Sequence, residues 1–149
     1  MKRKARMPQM GRANKYNVAP KSRRWSPIFK AHFDSMAEMN YGHHLYARQQ
    51  NGEIHSLERQ KNVRISEPEG VFHMNTRVDF YYYDNRLDCW VWDEFKGMEL
   101  GLFRQLKLAW ARWGPGLYRV TKASKSRLVP YRQEDIWPLG MGPKGANHA

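Results

Sequence analysis

The chain has 149 residues, a length that suits one domain with a modest hydrophobic core. It carries 26 Lys and Arg against 14 Asp and Glu, and its single cysteine, Cys89, excludes an internal disulfide and fits a reducing compartment. No apolar run approaches membrane-spanning length, and no apolar segment follows the first basic residues, so neither a membrane anchor nor a secretory signal is expected.

The positive charge is concentrated at the N-terminus. Residues 1–33 contain ten of the basic residues and no acidic one, so the rest of the chain is nearly neutral. Residues 1–26 have few large apolar side chains, which predicts a disordered basic arm. We expect this arm to lie on the phosphates of a nucleic acid, with a solubilising tail as the alternative. The arm residues expected to contact DNA are Arg3, Lys4, Arg6, Arg12, Lys15, Lys21, Arg23 and Arg24.

The first predicted helix covers residues 33–52 and ends at Gly52. With Ser35 as the N-cap, Ser35 and Glu38 form a capping box and the glutamate is structural. With Asp34 as the N-cap, Glu38 is free to point towards the sheet. The predicted inward stripe is Ala37, Tyr41, Leu45 and then Arg48 or Gln49.

The next segments read as strands rich in β-branched and aromatic residues. Residues 53–65 predict the first strand, with a bend near Gln60, and residues 66–70 predict a turn. Two further strands, at 76–83 and 89–95, flank turn-forming residues and predict a hairpin.

Strand parity decides which charges of this hairpin can meet. A loop of residues 85–88 pairs Asp84 with Cys89 and sets Asp79 opposite Glu94, with Cβ atoms about 5 Å apart. Two facing carboxylates repel each other, and a divalent cation between them turns this liability into a site. Lys96 lies one pleat beyond Glu94, where its ammonium reaches a water held by that cation.

A second helix is predicted over residues 100–113, ended by the Gly-Pro-Gly of 114–116, and a strand follows at 117–121. Its buried stripe is predicted to be Leu102, Phe103, Leu106, Ala109, Trp110 and Trp113. Arg104 and Lys107 lie off this stripe and are candidates for phosphate contact, with a solvated helix face as the alternative. Residues 138–149 predict a disordered tail. Tyr81 and Trp92, in the hairpin, either pack as ordinary hydrophobic residues or stack on bases beside the site.

The Asp79 strand followed by Glu94-Phe95-Lys96 resembles the PD-(D/E)XK nuclease superfamily, with Val78 where the motif often has proline. Residues 33–38 resemble the opening of a small phage-associated family within it, formerly classed as a domain of unknown function. In that pattern alanine follows the glutamate, whereas this chain has methionine at 39. The resemblance covers about residues 33–120.

The resemblance implies an α/β fold with a restriction-endonuclease-like core, in which helices flank a mixed central sheet over residues 27–137. It implies that Asp79, Glu94 and the carbonyl of Phe95 hold Mg²⁺ or Mn²⁺, while Lys96 orients or deprotonates the attacking water. Glu38 then binds a second metal, directly or through water. Gln60 either hydrogen-bonds near the site or only ends a strand.

The activity implied is metal-dependent hydrolysis of DNA phosphodiester bonds, selective for junctions, flaps or other branches, in phage DNA metabolism such as recombination. The expected location is the cytoplasm, that of the host cell for a phage-encoded protein. A homodimer would suit symmetrical cutting of a junction. The alternative is a non-catalytic DNA-binding accessory protein that keeps the fold and the arm.

Overall fold

The computed structural model describes residues 19–97 and 101–143, and the chain divides into two compact units, Met1–Met39 and Asn40–Ala149. In the first unit, a 3-10 helix at Lys21–Arg24 precedes a short antiparallel pair, β1 (Trp25–Ser26) and β2 (Ala31–His32). The Arg24 guanidinium donates to the Phe33 carbonyl at 2.8 Å. Residues 21–26 are therefore ordered, although the sequence assigned them to a disordered arm, because backbone and guanidinium bonds to residues 33 and 34 hold them.

Helix α1 spans Met36–Gln50 and begins at a Ser35 N-cap. The Ser35 hydroxyl accepts a hydrogen bond from the Glu38 N–H at 3.1 Å, as in the first half of a capping box. At the other end Gly52 has φ +74°, the left-handed conformation typical of a helix stop. The predicted inward stripe is wrong at Ala37, which is exposed, because Glu38 occupies the buried position one turn before Tyr41.

Five strands form one mixed sheet, which confirms the α/β class. They are β3 (Ile54–Ser66), β4 (His73–Asp84), β5 (Cys89–Phe95), β6 (Leu117–Ala123) and β7 (Tyr131–Ile136), in that spatial order. Only the β5–β6 pair is parallel, and α2 (Gly101–Trp113) is the helix of its crossover. None of the helices in the described ranges is both long and apolar enough to cross a membrane.

The apolar face of α2 packs on strands β3, β4 and β6. The cluster comprises Ile65, Val78, Phe103, Leu106, Ala109, Trp110, Tyr118 and Val120. Leu102, which the sequence placed in the buried stripe, is 76% exposed because it lies one position off the line through Phe103, Leu106 and Trp110. After α2, a Cβ on Gly114 would stand 2.3 Å from the Trp110 ring, so only glycine fits at this close approach.

Two C-terminal features differ from the sequence prediction. Strand β7 was not predicted, because its polar residues lack alternation and most of them are exposed at the sheet edge. The first residues of the predicted disordered tail are ordered. Pro138 is buried, and the Leu139 N–H donates to the Ala111 carbonyl at 2.9 Å. Residues 144–149 of that tail lie outside the described residues.

Candidate functional site

The candidate site lies where strand β5 ends. The β4–β5 register runs from Asp84 opposite Cys89 to Phe80 opposite Asp93, which confirms the four-residue turn. The next step along the same register is Asp79 and Glu94. There an Asp79 carboxylate oxygen accepts a hydrogen bond from the Phe95 N–H at 2.9 Å. The Asp79 carboxylate is therefore hydrogen-bonded to the backbone of β5 at the residue that follows Glu94.

Glu94 and Lys96 meet on one side of β5, as their spacing predicted. The Lys96 ammonium lies 2.5 Å from Glu94 Oε1 and 5.0 Å from the centre of the Phe103 ring. Both charged groups open into a cavity of about 370 Å³ between β4, β5 and α2. The cavity is lined by Met74, Asn75, Thr76, Glu94, Lys96, Leu102, Phe103 and Leu106.

The oxygen atoms here fit a hard divalent cation. Glu94 Oε2 and the Tyr118 hydroxyl are buried, and neither has a hydrogen-bond partner among the described residues. Burial raises the pKa of the Tyr118 hydroxyl first, and the negative charges of Glu94 and then Asp79 raise it further. Both carboxylates therefore lie close enough to the buried Tyr118 hydroxyl to raise its pKa. A buried acceptor without a partner, beside a second carboxylate, suits Mg²⁺, which takes one or two protein carboxylates and otherwise water or phosphate oxygens.

Asp79 and Glu94 are the two carboxylates that the second unit brings to the site. Within residues 19–97 and 101–143, no three Asp, Glu, His or Cys side chains converge in a way that could hold a metal. Glu38 belongs to the first unit, in the first turn of α1, where it is 6% exposed. On β3, Gln60 lies between Arg59, which pairs with Phe80, and Lys61, which pairs with Val78, so it is opposite Asp79. Its φ of +53°, a left-handed backbone conformation, confirms the predicted bend. Its side chain is exposed.

The predicted DNA-contacting cations differ in their surroundings. Arg104 is exposed on α2, whereas the Lys107 ammonium pairs with Glu134 at 3.2 Å. Arg24 donates to two carbonyls of its own unit, while Lys21 and Arg23 are exposed. Arg3, Lys4, Arg6, Arg12 and Lys15 lie outside the described residues.

A buried carboxylate on the opposite face of β5 was not identified from the sequence. Asp93 is fully buried and accepts hydrogen bonds from the hydroxyls of Tyr41 at 2.5 Å, Tyr82 at 2.8 Å and Thr121 at 2.8 Å. Burial raises the pKa of Asp93, against the opposing effect of these donors. The network joins α1, β4 and β6 to the residue that precedes Glu94, so it fixes the backbone of the candidate site. Side chains alternate between the faces of a strand, so Asp93 falls on the face opposite Glu94, and this was the signal from which it could have been found.

The aromatic residues beside the site pack against one another. Tyr81 lies parallel to Trp90, with ring centres 4.8 Å apart and planes within 6°. Trp92 contacts both Tyr81, at 5.0 Å, and Trp110, at 5.7 Å. These contacts account for Tyr81 and Trp92 as packed hydrophobic residues, the simpler of the two predicted roles.

Comparison with known proteins found no matching family model, no matching curated protein and no matching solved structure. The function is therefore inferred from the residues themselves.

Proposed function

We propose that this protein is a Mg²⁺- or Mn²⁺-dependent DNA endonuclease whose site lies at the end of β5. The observation that carries the proposal is the grouping of Asp79, Glu94 and Lys96 there. The Asp79 carboxylate bonds to the Phe95 N–H at 2.9 Å, and the Lys96 ammonium lies 2.5 Å from Glu94. Two carboxylates and an ammonium grouped at one strand end are the groups that metal-assisted hydrolysis of a phosphodiester requires.

Each residue of the site has a distinct role in this proposal. Asp79 and Glu94 would hold the metal together with the Phe95 carbonyl. The bound metal would lower the pKa of a water and offset negative charge on the phosphate. Lys96 would orient the attacking water as an ammonium, or accept its proton as a neutral amine. Its side chain is 29% exposed, so water has access to the ammonium.

The substrate proposed is branched DNA, such as a junction or a flap, processed during phage DNA metabolism in the host cytoplasm. Symmetrical cutting of a junction would use a homodimer, because two sites related by a twofold axis reach the two opposed strands.

A second candidate function is favoured by one contact. The ion pair between the Lys96 ammonium and the Glu94 carboxylate, 2.5 Å long, neutralises the carboxylate without a metal ion. A protein that only binds DNA, while keeping a nuclease-like sheet, would be stable with this pair closed.

Cleavage assays separate the two functions. Wild type, Asp79→Asn and Glu94→Gln are incubated with supercoiled plasmid and with branched DNA, in Mg²⁺ and in EDTA. We expect cleavage by wild type in Mg²⁺ alone, and loss of cleavage with retained binding in both variants. Glu69→Gln, at an exposed turn position, is the matched control and should cleave normally. Full activity in either site variant would refute the assignment, and binding without cleavage by wild type would favour the accessory protein.

A further inference from the structure

Strands β3 and β4 extend beyond the rest of the sheet as a two-stranded ribbon. Strand β5 pairs with β4 only between Phe80 and Asp84, whereas the β3–β4 pairing continues to Ser66 opposite His73. We call residues 61–66 and 73–78 the β3–β4 ribbon. Its register sets Asn62 opposite Arg77 and Arg64 opposite Asn75.

The two faces of the β3–β4 ribbon have different chemistry. Val63, Ile65, Met74 and Val78 pack with the cluster under α2. The alternate positions form the polar face, whose exposed residues are Asn62, Arg64, His73, Asn75 and Arg77. The polar face is therefore accessible while the apolar face holds the ribbon against the domain.

The polar face is positively charged and has no internal compensation. Residues 59–66 and 73–78 contain no Asp or Glu. The guanidinium groups of Arg64 and Arg77 make no hydrogen bond or ion pair with any residue that the structure describes. Elsewhere in the sheet, by contrast, Arg119 is bound by Asp135 through two hydrogen bonds of 2.8 and 2.9 Å. Two uncompensated arginines on a rigid ribbon fit an external polyanion.

We propose that the polar face of the β3–β4 ribbon enters the major groove of B-form DNA. That groove admits a two-stranded ribbon, and its base edges pair with the side chains present: Arg with guanine and Asn with adenine. Double-stranded RNA does not fit, because the major groove of its A-form helix is too narrow for side chains. The inference rests on the proposed DNA substrate and adds that a duplex segment of that substrate is held here.

The ribbon is continuous with the candidate site. Asn75 and Thr76 line the groove between Asn62, Arg64 and Arg77, and they also line the cavity that contains Glu94 and Lys96. Of these two residues Asn75 lies on the polar face, so a duplex seated there would reach the rim of this cavity. The β3–β4 ribbon would position the duplex segment next to the bond to be cut.

The test measures binding in EDTA, so that it does not depend on cleavage. Wild type, Arg64→Ala, Arg77→Ala and the control Arg132→Ala are titrated onto a fluorescent duplex of mixed sequence. A second duplex carries 7-deazaguanine, which lacks the N7 acceptor of the major groove but keeps every phosphate. Arg132 is a matched control because it is exposed on β7, at the other edge of the sheet, and its guanidinium has no hydrogen bond or ion pair among the described residues.

We expect wild type and Arg132→Ala to bind the 7-deazaguanine duplex about tenfold more weakly than the ordinary one. Arg64→Ala and Arg77→Ala should each lose part of that factor on the ordinary duplex, and each should be less sensitive than wild type to the 7-deazaguanine substitution. Ribbon variants that behave like Arg132→Ala would overturn the inference, and so would an equal loss on both duplexes, which indicates phosphate contact alone. Wild-type protein that cleaves DNA while the ribbon variants match the control would refute the ribbon and leave the nuclease proposal intact. Wild type that binds no duplex would refute the ribbon, whereas the nuclease proposal is tested separately by cleavage of branched DNA.

Discussion

Lys96 is held between the Glu94 carboxylate and the ring of Phe103, at the edge of a cavity open to water. If Lys96 accepts a proton from the attacking water or orients that water, Lys96→Ala should lower the single-turnover cleavage rate by about a hundredfold or more, with little effect on DNA affinity. Lys96→Arg should not restore the rate, because a guanidinium does not release a proton near neutral pH. Single-turnover kinetics at saturating Mg²⁺ measure this step.

The control for Lys96 is Lys125→Ala, which removes an exposed ammonium from the segment between β6 and β7. This variant should keep the wild-type rate of the chemical step. A fully active Lys96→Arg variant would contradict the proton-transfer role and leave Lys96 with a purely electrostatic one.

Asp93 should make the free energy of unfolding depend on pH, and its contribution can be measured separately from that of the other titrating groups. Burial raises its folded-state pKa above the ordinary value of about 3.9, so the folded protein holds this proton more tightly than the unfolded chain. The stability contributed by this group is therefore present below about pH 4 and is lost as the pH rises through the folded-state pKa. Asparagine does not titrate. The free energy of unfolding of wild type minus that of Asp93→Asn should thus fall with rising pH.

Urea denaturation at a series of pH values measures this difference, and the other titrating groups cancel in the subtraction. A difference that rises with pH would show that the hydroxyls of Tyr41, Tyr82 and Thr121 outweigh burial and hold the pKa of Asp93 below its ordinary value. Thr121→Val, which removes the donor to the other carboxylate oxygen, should raise the pKa of Asp93 further and widen the pH window.

At the scale of elements, local signals predicted the hairpin well. The bounds of β5 match the prediction, and the four-residue turn follows from turn formers between two alternating strands. Strand β7 carries no such signal, since an exposed edge strand needs no apolar face. The partners of Asp93 come from three elements distant in sequence, so parity could place the carboxylate on an apolar face without naming its donors.

Helix α2 offers a test of packing at its two ends. A methyl group at Gly114 would lie 2.3 Å from the buried Trp110 ring, whereas one at Gly101 meets nothing within 4 Å. Gly114→Ala should lower the free energy of unfolding by about 1–3 kcal/mol, the usual cost of overpacking. Gly101→Ala, the matched control, should leave it unchanged or raise it by up to about 1 kcal/mol. Equal values for the two variants in chemical denaturation would show that the Trp110 contact is easily relaxed.

At the scale of the whole molecule, the charge is divided between an N-terminal segment and a nearly neutral remainder. Residues 21–24 form a 3-10 helix, and Arg24 holds the backbone of residues 33 and 34, so these cations also support the fold. The charge of the segment is therefore tested by removing residues 1–18 alone, which carry Lys2, Arg3, Lys4, Arg6, Arg12 and Lys15.

Deleting residues 1–18 should leave the fold and the chemical step intact, because the bonds that order residues 20–34 remain. DNA affinity should fall, and the slope of log K against log salt should become shallower by up to about 5, since each phosphate neutralised on duplex DNA contributes about 0.9. The loss should be similar for different sequences, because phosphate contacts carry no base information. Salt titrations of binding in EDTA, by full-length and shortened protein, measure both quantities.

A full-length variant with those six cations replaced by glutamine separates charge from chain length. It should match the deletion in both affinity and salt slope, because the expected effect depends on counterion release alone. A glutamine variant that keeps the wild-type slope would show that the segment acts only as a solubilising tail. Loss of the folded state on deletion would show instead that residues 1–18 pack on the protein, which their composition argues against, since they contain few large apolar side chains.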